Sequence, residues 1–281
     1  MIQPQRQPEM PDLRVVPVAD LLLHEQHDAQ RSEPLLQRLR TDGVLKNPPI
    51  VASIPGEQRF VVLDGANRVT AAQALGMEHI AVQVVDYEDP ELILDTWYHL
   101  IKGMSVEQFK ELLAGLAGIR TEPADLMHAR ALLARRESLA FVEYPNGEVC
   151  SLFAEGNLHQ RTQRLNDIVD LYKARGRIFR ANTDHLPSLL PLYDDITVLV
   201  VFPHYAPAEI VDLARVGAFL PAGISRHLIP RRALRINLPL AMLGNGASLA
   251  EKNRWLSDWM KQKVAAKAAR YYQESTFLFD E

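Results

Sequence analysis

Residues 60–75 have the sequence FVVLDGANRVTAAQAL, and this stretch decides the fold of the first part of the chain. Its first residues are apolar and predict a strand that ends at Asp64, and residues 67–75 predict a helix that stops at Gly76. Backbone N–H groups at the start of a helix lack partners and lie at the positive end of the helix dipole. A strand that passes into a helix through Asp64 and Gly65 therefore predicts a phosphate-binding turn.

Three residues in this turn suit a phosphate. Gly65 lets the backbone approach a ligand without a Cβ in the way. Arg68 offers a planar fork to phosphate oxygens, and Thr70 offers a hydroxyl from the first helical turn. The alternative is an ordinary turn, with Asn67 as the helix cap and Arg68 in a surface salt bridge. The spacing alone does not separate the two interpretations.

Composition excludes several classes of protein. The chain has 281 residues, enough for one large domain or two modest ones, and its net charge of −4 argues against non-specific wrapping of nucleic acid. Its one cysteine, Cys150, excludes an intramolecular disulfide and a C-x-x-C metal site. The first residues lack the apolar core of a signal peptide, and no apolar run approaches the roughly 18–20 residues of a membrane span. We expect a soluble cytoplasmic protein.

Working outward from the turn, we predict a compact α+β domain over about the first hundred residues, after a disordered tail at 1–11. Its elements are strands at 13–18, 49–52, 60–64 and 80–85 and helices at 32–42, 67–75 and 91–100. We predict a nucleotide-binding domain at 12–105, a helical connector at 106–139 and a second α/β domain at 140–281. The later pattern predicts a hairpin around residues 145–147, helices at 157–175, 207–216 and 249–271, and strands at 196–202 and 233–238.

The turn, with the alanines that follow Thr70, resembles the G-x-x-R turn of the ParB/sulfiredoxin-like fold, whose members hold nucleotide phosphates there. Ala66 stands where sulfiredoxins have their reactive cysteine, so that chemistry is excluded. Val69 follows Arg68 where partition proteins carry a second arginine, and residues 103–140 lack their further phosphate motif. These differences disfavour a DNA clamp.

The chain is similar over nearly its whole length to the free L-serine kinase family, which makes O-phospho-L-serine and includes the serine kinases of siderophore clusters. The resemblance implies an α+β fold, with a ParB/sulfiredoxin-like N-terminal domain and a second α/β C-terminal domain that together form the active-site cleft. The matching segments are residues 23–25 (LHE), 48–50 (PPI), 63–68 (LDGANR), 82–87 (VQVVDY), 96–99 (TWYH) and 220–230 (LPAGISRHLIP).

The resemblance also implies roles for residues around the nucleotide. Glu25 matches the family's catalytic glutamate and would take the proton of the serine hydroxyl. Asp64 is a second catalytic candidate that could also ligate Mg²⁺, with a capping aspartate as the alternative. The expected cofactors are Mg²⁺ and either ATP or ADP, since histidine replaces part of this turn in some relatives and the donor stays open. The nucleotide-binding candidates are Gly65, Ala66, Asn67, Arg68 and Thr70.

Four residues are candidates for binding the amino acid. Trp97 and His99 lie two apart and cannot closely share a helix face, so one of them is expected in the core. Arg226 suits the substrate carboxylate, and His227 follows it in the matching segment. We interpret His24 as a support for Glu25, because a metal site at His24, His27 and Asp28 has weak spacing. The basic cluster of Arg231, Arg232 and Arg235 is interpreted as a solvated face.

The leading hypothesis is a Mg²⁺-dependent free L-serine kinase with L-serine and a nucleotide as its partners and no membrane contact. A homodimer is left open. The first alternative is a ParB-like, nucleotide-dependent DNA-binding regulator, against which the acidic net charge counts. The second is a non-catalytic nucleotide-binding scaffold.

Overall fold

The computed structural model of the chain describes residues 10–27 and 29–272. The predicted tail lies outside these residues except for its last two, and so does Asp28 of the weak metal set. The described residues divide into two compact units. The first unit contains residues 10–21, 29–91 and 229–272, and the second contains residues 22–27 and 92–228.

The first 91 residues supply most of the first unit. Its sheet has the strand order β1-β6-β4-β5-β2, in which β4 and β5 form an antiparallel hairpin and β6 runs parallel to β4. Val69 and Ala72 of α2 are fully buried, since they recur on one helix face. The elements are β1 (Asp12–Pro17), β2 (Leu21–Leu22), α1 (Ala29–Asp42), β3 (Val44–Leu45), β4 (Ile50–Ser53), β5 (Phe60–Asp64), α2 (Ala66–Ala74) and β6 (His79–Val85).

Residues 92–228 form nearly all of the second unit. The next elements are β7 (Ile93–Thr96), β8 (Tyr98–Lys102), α3 (Val106–Ala114), β9 (Arg120–Ala124), α4 (Leu126–Ala134), β10 (Ala140–Glu143), β11 (Val149–Phe153), α5 (Leu158–Lys173), β12 (Arg177–Ala181), α6 (Leu186–Leu189), β13 (Ile196–Val201), α7 (Pro207–Arg215) and β14 (Ser225–Leu228). An antiparallel sheet has the order β12-β8-β13-β10-β11-β9, and β14 pairs separately with β7. Leu100, Phe141 and Leu199 are completely buried in its core.

The last described stretch returns to the first unit. It contains β15 (Leu238–Pro239), which pairs with β3, and α8 (Leu249–Ala265). The side chain of Asn253 on α8 accepts from the N–H of Val15 at 2.9 Å and donates to its carbonyl at 2.8 Å. These two bonds attach α8 to the edge strand β1. Across the described residues, no helix combines the length and apolar character needed to cross a membrane.

The α+β fold class is confirmed, but the two units differ from the predicted domains. The observed boundary follows residue 91 rather than 105, and residues 229–272 belong to the first unit. The predicted connector at 106–139 contains a strand, β9, which pairs with β11 and so joins the sheet of the second unit. Hydrogen bonding between distant strands, rather than position along the chain, decides these boundaries.

Two predicted elements are wrong. The predicted helix at 91–100 is the strand pair β7 and β8, and β8 is buried between two neighbours in the larger sheet. The predicted strand at 233–238 is reduced to its last residue, because Arg235 and Asn237 adopt positive φ angles that a regular strand does not allow. The hairpin at residues 145–147 is confirmed by β10 and β11.

Candidate active site

The turn that was predicted to bind phosphate lies between β5 and α2, in the first unit. Gly65 has a φ of 101° and forms the N-cap of α2, where no described side chain caps the helix. A Cβ on Gly65 would lie 3.0 Å from Nε of Arg68 and 3.0 Å from Cα of Pro49, so the turn requires glycine. The alternative with Asn67 as the cap is wrong, since Asn67 lies inside the first turn.

Hydrogen bonds hold the guanidinium group of Arg68 against this turn. Its Nη1 donates to the carbonyls of Asn47 and Pro48 at 3.1 and 3.2 Å, and its Nη2 donates to Oδ2 of Asp64 at 3.1 Å. Arg68 thus forms a salt bridge, as the alternative interpretation expected, but its side chain is only 17% exposed and does not lie on an open surface. The guanidinium is therefore held in one orientation at the start of α2.

A second arginine shares the same carboxylate oxygen. Arg232 donates to Oδ2 of Asp64, so two guanidinium groups meet one carboxylate and leave a net positive charge beside the turn. Buried Gln83 positions the loop, because its amide donates to the carbonyl of Arg231 at 3.0 Å and accepts from the N–H of Ala233 at 2.8 Å. Sequence reasoning missed Arg232, because nothing in the local pattern separates it from a solvated arginine.

The residues at the turn do not form a ready-made magnesium site. Asp64 already pairs with two cations, and the described residues contain no group of three acidic, histidine or cysteine side chains able to hold a metal. Mg²⁺ accepts one or two carboxylates only when phosphate oxygens and water complete its octahedron. The donor set therefore does not fit a metal ion held by the protein alone.

Thr70 differs from its predicted environment. Its hydroxyl oxygen is buried and has no hydrogen-bond partner in the part of the chain that the structure describes. A hydroxyl that contacts a phosphate must be accessible to it. The predicted phosphate contact of Thr70 would thus require a local rearrangement.

The candidate base Glu25 lies in the second unit. Its backbone runs beside Leu220, with hydrogen bonds from Gln26 N–H to the carbonyl of Leu220 and from Leu220 N–H to the carbonyl of His24. Oε1 of Glu25 accepts from the N–H of Ser225 at 2.6 Å and from its hydroxyl at 2.5 Å. Oε2 accepts from the N–H of Gly223 at 3.1 Å. Three donors from a single loop therefore orient this carboxylate.

His24 contacts the same network through Ser225. Its side chain is buried, and its Nε2 lies 2.8 Å from the hydroxyl oxygen of Ser225. The ring of His227 packs edge-on against the ring of His24, with centroids 5.5 Å apart. His24 thus reaches Glu25 indirectly, through a serine that sequence reasoning did not single out.

Arg226 forms a second polar cluster directly after Ser225. The register of β14 with β7 places Arg226 opposite Asp95, and Nη1 lies 3.4 Å from Oδ2 of that carboxylate. Its guanidinium also stacks over the ring of Trp97, 4.3 Å from the centroid. The structure therefore brings together the predicted residues Arg226 and Trp97. Asp95 was missed because the segment was predicted to be helical.

Unlike Arg226, His99 is buried in the core of the second unit. It is 1% exposed on β8, its Nδ1 lies 2.8 Å from the hydroxyl of Tyr172, and its ring packs against Phe202. Burial lowers the pKa of His99 to about 3, and a hydrogen bond to the backbone of Gly223 opposes that shift. His99 is thus a neutral core residue that supports the loop around Glu25, and not an exposed substrate contact.

Curated relatives of the chain are serine kinases. An ATP-dependent L-serine kinase of Staphylothermus marinus is 34% identical over 236 residues, which are 82% of this chain and 90% of the relative. The ATP-dependent L-serine kinase SbnI of Staphylococcus aureus is 24% identical and covers 96% of this chain and 97% of its own length. The ADP-dependent L-serine kinase SerK of Thermococcus kodakarensis is 25% identical, with 78% and 88% covered.

Solved structures show the same fold. A free serine kinase in complex with AMP matches with a TM-score of 0.70 at 18% identity, over 86% of this chain and 97% of that one. No protein-family model matches the sequence.

Proposed function

The chain belongs to the L-serine kinase family, and we propose that it transfers a phosphoryl group from ATP or ADP to the hydroxyl of free L-serine, giving O-phospho-L-serine. The match to the Staphylothermus marinus enzyme, over 90% of that relative, supports a nucleotide-dependent phosphotransferase. The relatives include both ATP- and ADP-dependent enzymes, so the proposal keeps both donors.

One observation carries the proposal: two consecutive residues connect an oriented carboxylate with a stacked guanidinium. Ser225 orients Glu25, and the next residue, Arg226, is held by Asp95 and Trp97. Free serine has a hydroxyl that must lose a proton and a carboxylate that needs a cationic partner. Glu25 serves the first and Arg226 the second.

The first unit supplies the groups for the nucleotide. Gly65 leaves room for a phosphate at the start of α2, and the N–H groups of Ala66 and Asn67 lie in the helical turn that would face it. Arg68 adds a fixed guanidinium, and Arg232 adds another at the same carboxylate. These positive groups would stabilise the charge that develops on the phosphate oxygens during transfer.

The proposed reaction is a single in-line displacement. The hydroxyl oxygen of serine bonds to the terminal phosphorus, the bond from that phosphorus to the bridging oxygen of the nucleotide breaks, and the hydroxyl proton passes to Glu25. Mg²⁺ would accompany the nucleotide, neutralise phosphate charge and take most of its ligands from phosphate and water. No step is assigned to a metal ion on Asp64, because that carboxylate is already paired with two arginines.

Charge counts against a DNA-binding role. Arg231 pairs with two carboxylates, those of Asp89 and Glu91, which offset its charge. The net charge of the chain is −4, whereas binding to a phosphate backbone depends on an excess of basic residues.

The test is to incubate the protein with Mg²⁺, L-serine and either ATP or ADP, and to detect O-phospho-L-serine by mass spectrometry. Glu25→Gln should lower kcat by about 10²- to 10⁴-fold and leave the nucleotide Kd nearly unchanged. Glu148→Gln, in an exposed ion pair with Lys110, is the matched control and should retain full activity. Absence of phosphoserine with both nucleotides would refute the proposal.

A further inference from the structure

We propose that Ser225 is the positioning residue of the catalytic carboxylate: it fixes Oε1 of Glu25 so that Oε2 takes the proton from the substrate. This inference rests on the proposed function, in which Glu25 is the base. It assigns a role to a hydroxyl that the reaction itself does not consume.

The two carboxylate oxygens of Glu25 have different surroundings. Oε1 accepts two bonds from Ser225, at 2.6 Å from the N–H and 2.5 Å from the hydroxyl, and a carboxylate oxygen has two lone pairs. Oε2 accepts one longer bond, 3.1 Å from the N–H of Gly223. Oε1 is therefore saturated, and Oε2 keeps a lone pair for the hydroxyl proton of the substrate.

The hydrogen-bond direction at Ser225 follows from its single hydroxyl hydrogen. That hydrogen is donated to Glu25, whose carboxylate can only accept, so the oxygen of Ser225 must accept from Nε2 of His24 at 2.8 Å. The network assigns the hydrogen of His24 to Nε2. His24 thereby locks the hydroxyl rotor of Ser225 toward Glu25.

The backbone around Ser225 is also fixed. Ser225 lies opposite Thr96 in the β14–β7 pair, and the N–H of Trp97 donates to the carbonyl of Ile224 at 2.8 Å. Gly223 has a φ of +78°, and a Cβ there would collide with the guanidinium of Arg180. The two N–H donors to Glu25 therefore come from backbone with little freedom to move.

Loss of the hydroxyl should affect chemistry more than binding. In Ser225→Ala both N–H bonds to Glu25 remain, but Oε1 loses one partner and the carboxylate gains rotational freedom. We expect kcat to fall by about 10- to 100-fold, since a hydrogen bond to a charged group is removed. The KM for serine and the Kd for nucleotide should change less than about threefold. Ser225→Thr keeps the hydroxyl and should restore most of kcat.

The experiment measures kcat and KM for four proteins: wild type, Ser225→Ala, Ser225→Thr and Ser188→Ala. Ser188 donates its hydroxyl to the carbonyl of His185 on an exposed surface of the same unit, so its variant controls for removal of a serine hydroxyl. Circular dichroism and the melting temperature check that each variant is folded. The same Ser225→Ala change is then made in Glu25→Gln, where a residue that acts through Glu25 should have little further effect.

Three results would overturn the inference. They are an unchanged kcat in Ser225→Ala, failure of Ser225→Thr to recover activity in a folded protein, and a phosphoryl group on residue 225 in the mass spectrum. The last would make its hydroxyl an acceptor and not a support. A wild type without phosphoserine would instead refute the proposed function, so the two failures are distinguishable.

Discussion

Arg68 in α2 and Asp64 at the end of β5 are joined across the turn between these elements, with Nη2 of the arginine 3.1 Å from Oδ2 of the carboxylate. Arg232 donates to the same oxygen from a distant part of the sequence. The carboxylate thus holds two guanidinium groups in place in the free protein. A phosphate bound at this turn, as proposed, would meet cations that are already oriented, and it would have to compete with Asp64 for them.

Replacing Arg68 should weaken nucleotide binding selectively. Arg68→Ala would remove the charged hydrogen bonds proposed between Arg68 and phosphate, and we expect the Kd for ATP or ADP to rise about 10- to 100-fold by calorimetry. Arg59→Ala, which breaks a half-exposed pair with Glu57 in the same unit, is the control and should bind normally. Equal affinity of the two variants would remove Arg68 from the phosphate site.

Asp64 is predicted to organise arginines and not to hold the metal. In Asp64→Asn the Mg²⁺ concentration that gives half-maximal rate should stay within about twofold of wild type, because phosphates and water supply most of its ligands. The asparagine side chain would keep an oxygen that can accept from the arginines and would lose the charge that competes with phosphate, so nucleotide affinity without Mg²⁺ should not fall. A tenfold higher Mg²⁺ requirement would show that Asp64 is a ligand.

Gly65 is predicted to be sensitive to substitution, both because of its positive φ and because neighbouring atoms leave no room for a Cβ. Gly65→Ala forces a left-handed residue, at about 1–2 kcal/mol, and also brings Cβ against Arg68 and Pro49. Gly56 has a similar φ of +79°, but a Cβ there would meet no described atom within 4 Å. In urea unfolding, Gly65→Ala should therefore lose more stability than Gly56→Ala, and it alone should lower nucleotide affinity.

Arg226 should set the affinity for serine. Arg226→Ala removes the proposed partner of the substrate carboxylate, so the KM for serine should rise about tenfold or more while the nucleotide Kd stays constant. Arg135→Ala, which breaks an exposed pair with Glu137, is the matched control. An unchanged KM in a folded Arg226 variant would place the carboxylate elsewhere.

His99 should contribute to acid sensitivity. Its pKa is lowered to about 3 in the folded protein, so between about pH 3 and its ordinary value near 6.5 the unfolded chain binds more protons than the folded one. Its contribution is complete above pH 6.5 and is lost as the pH falls, by up to about 1.4 kcal/mol for each pH unit.

Two measurements check the prediction for His99. Urea unfolding of wild type and His99→Gln at several pH values between 4 and 7 should give a shallower loss of stability for the variant. An NMR titration should show no protonation of the His99 ring between pH 5 and 8. A ring that titrates near 6.5 would contradict its neutral, buried state.

Local patterns predicted the first unit better than the second. The apolar run at 60–64 and the apolar face of residues 67–75 have clear periods, and both elements formed nearly as predicted. β9 has five mostly exposed residues with a proline among them, a composition that only an edge strand tolerates, and its pairing with β11 is not visible locally. The helix predicted at 91–100 failed because a strand buried on both faces lacks alternation.

The parts of the candidate site that lie within one short segment could be predicted from the sequence. The turn with Gly65 and Arg68 is continuous in sequence, so its geometry could be anticipated. Ser225 contacts Glu25, and Arg232 contacts Asp64, across sequence separations of 200 and 168 residues. Neither residue stands out in its own segment, so these contacts could not be predicted from local sequence. Gln83, which positions the arginine loop, resembles any polar residue within a strand.

The first unit is built from stretches that lie far apart in the sequence. This arrangement constrains how the chain can fold during its synthesis. The sheet strands of residues 12–85 leave the ribosome early, but α8, which fastens to Val15 through Asn253, is made only after residues 92–228. The loop that carries Arg232 emerges equally late. More than a hundred residues are therefore synthesised between the turn at Gly65 and its second arginine, and the full nucleotide affinity proposed for this turn should arise only after the loop with Arg232 has been made.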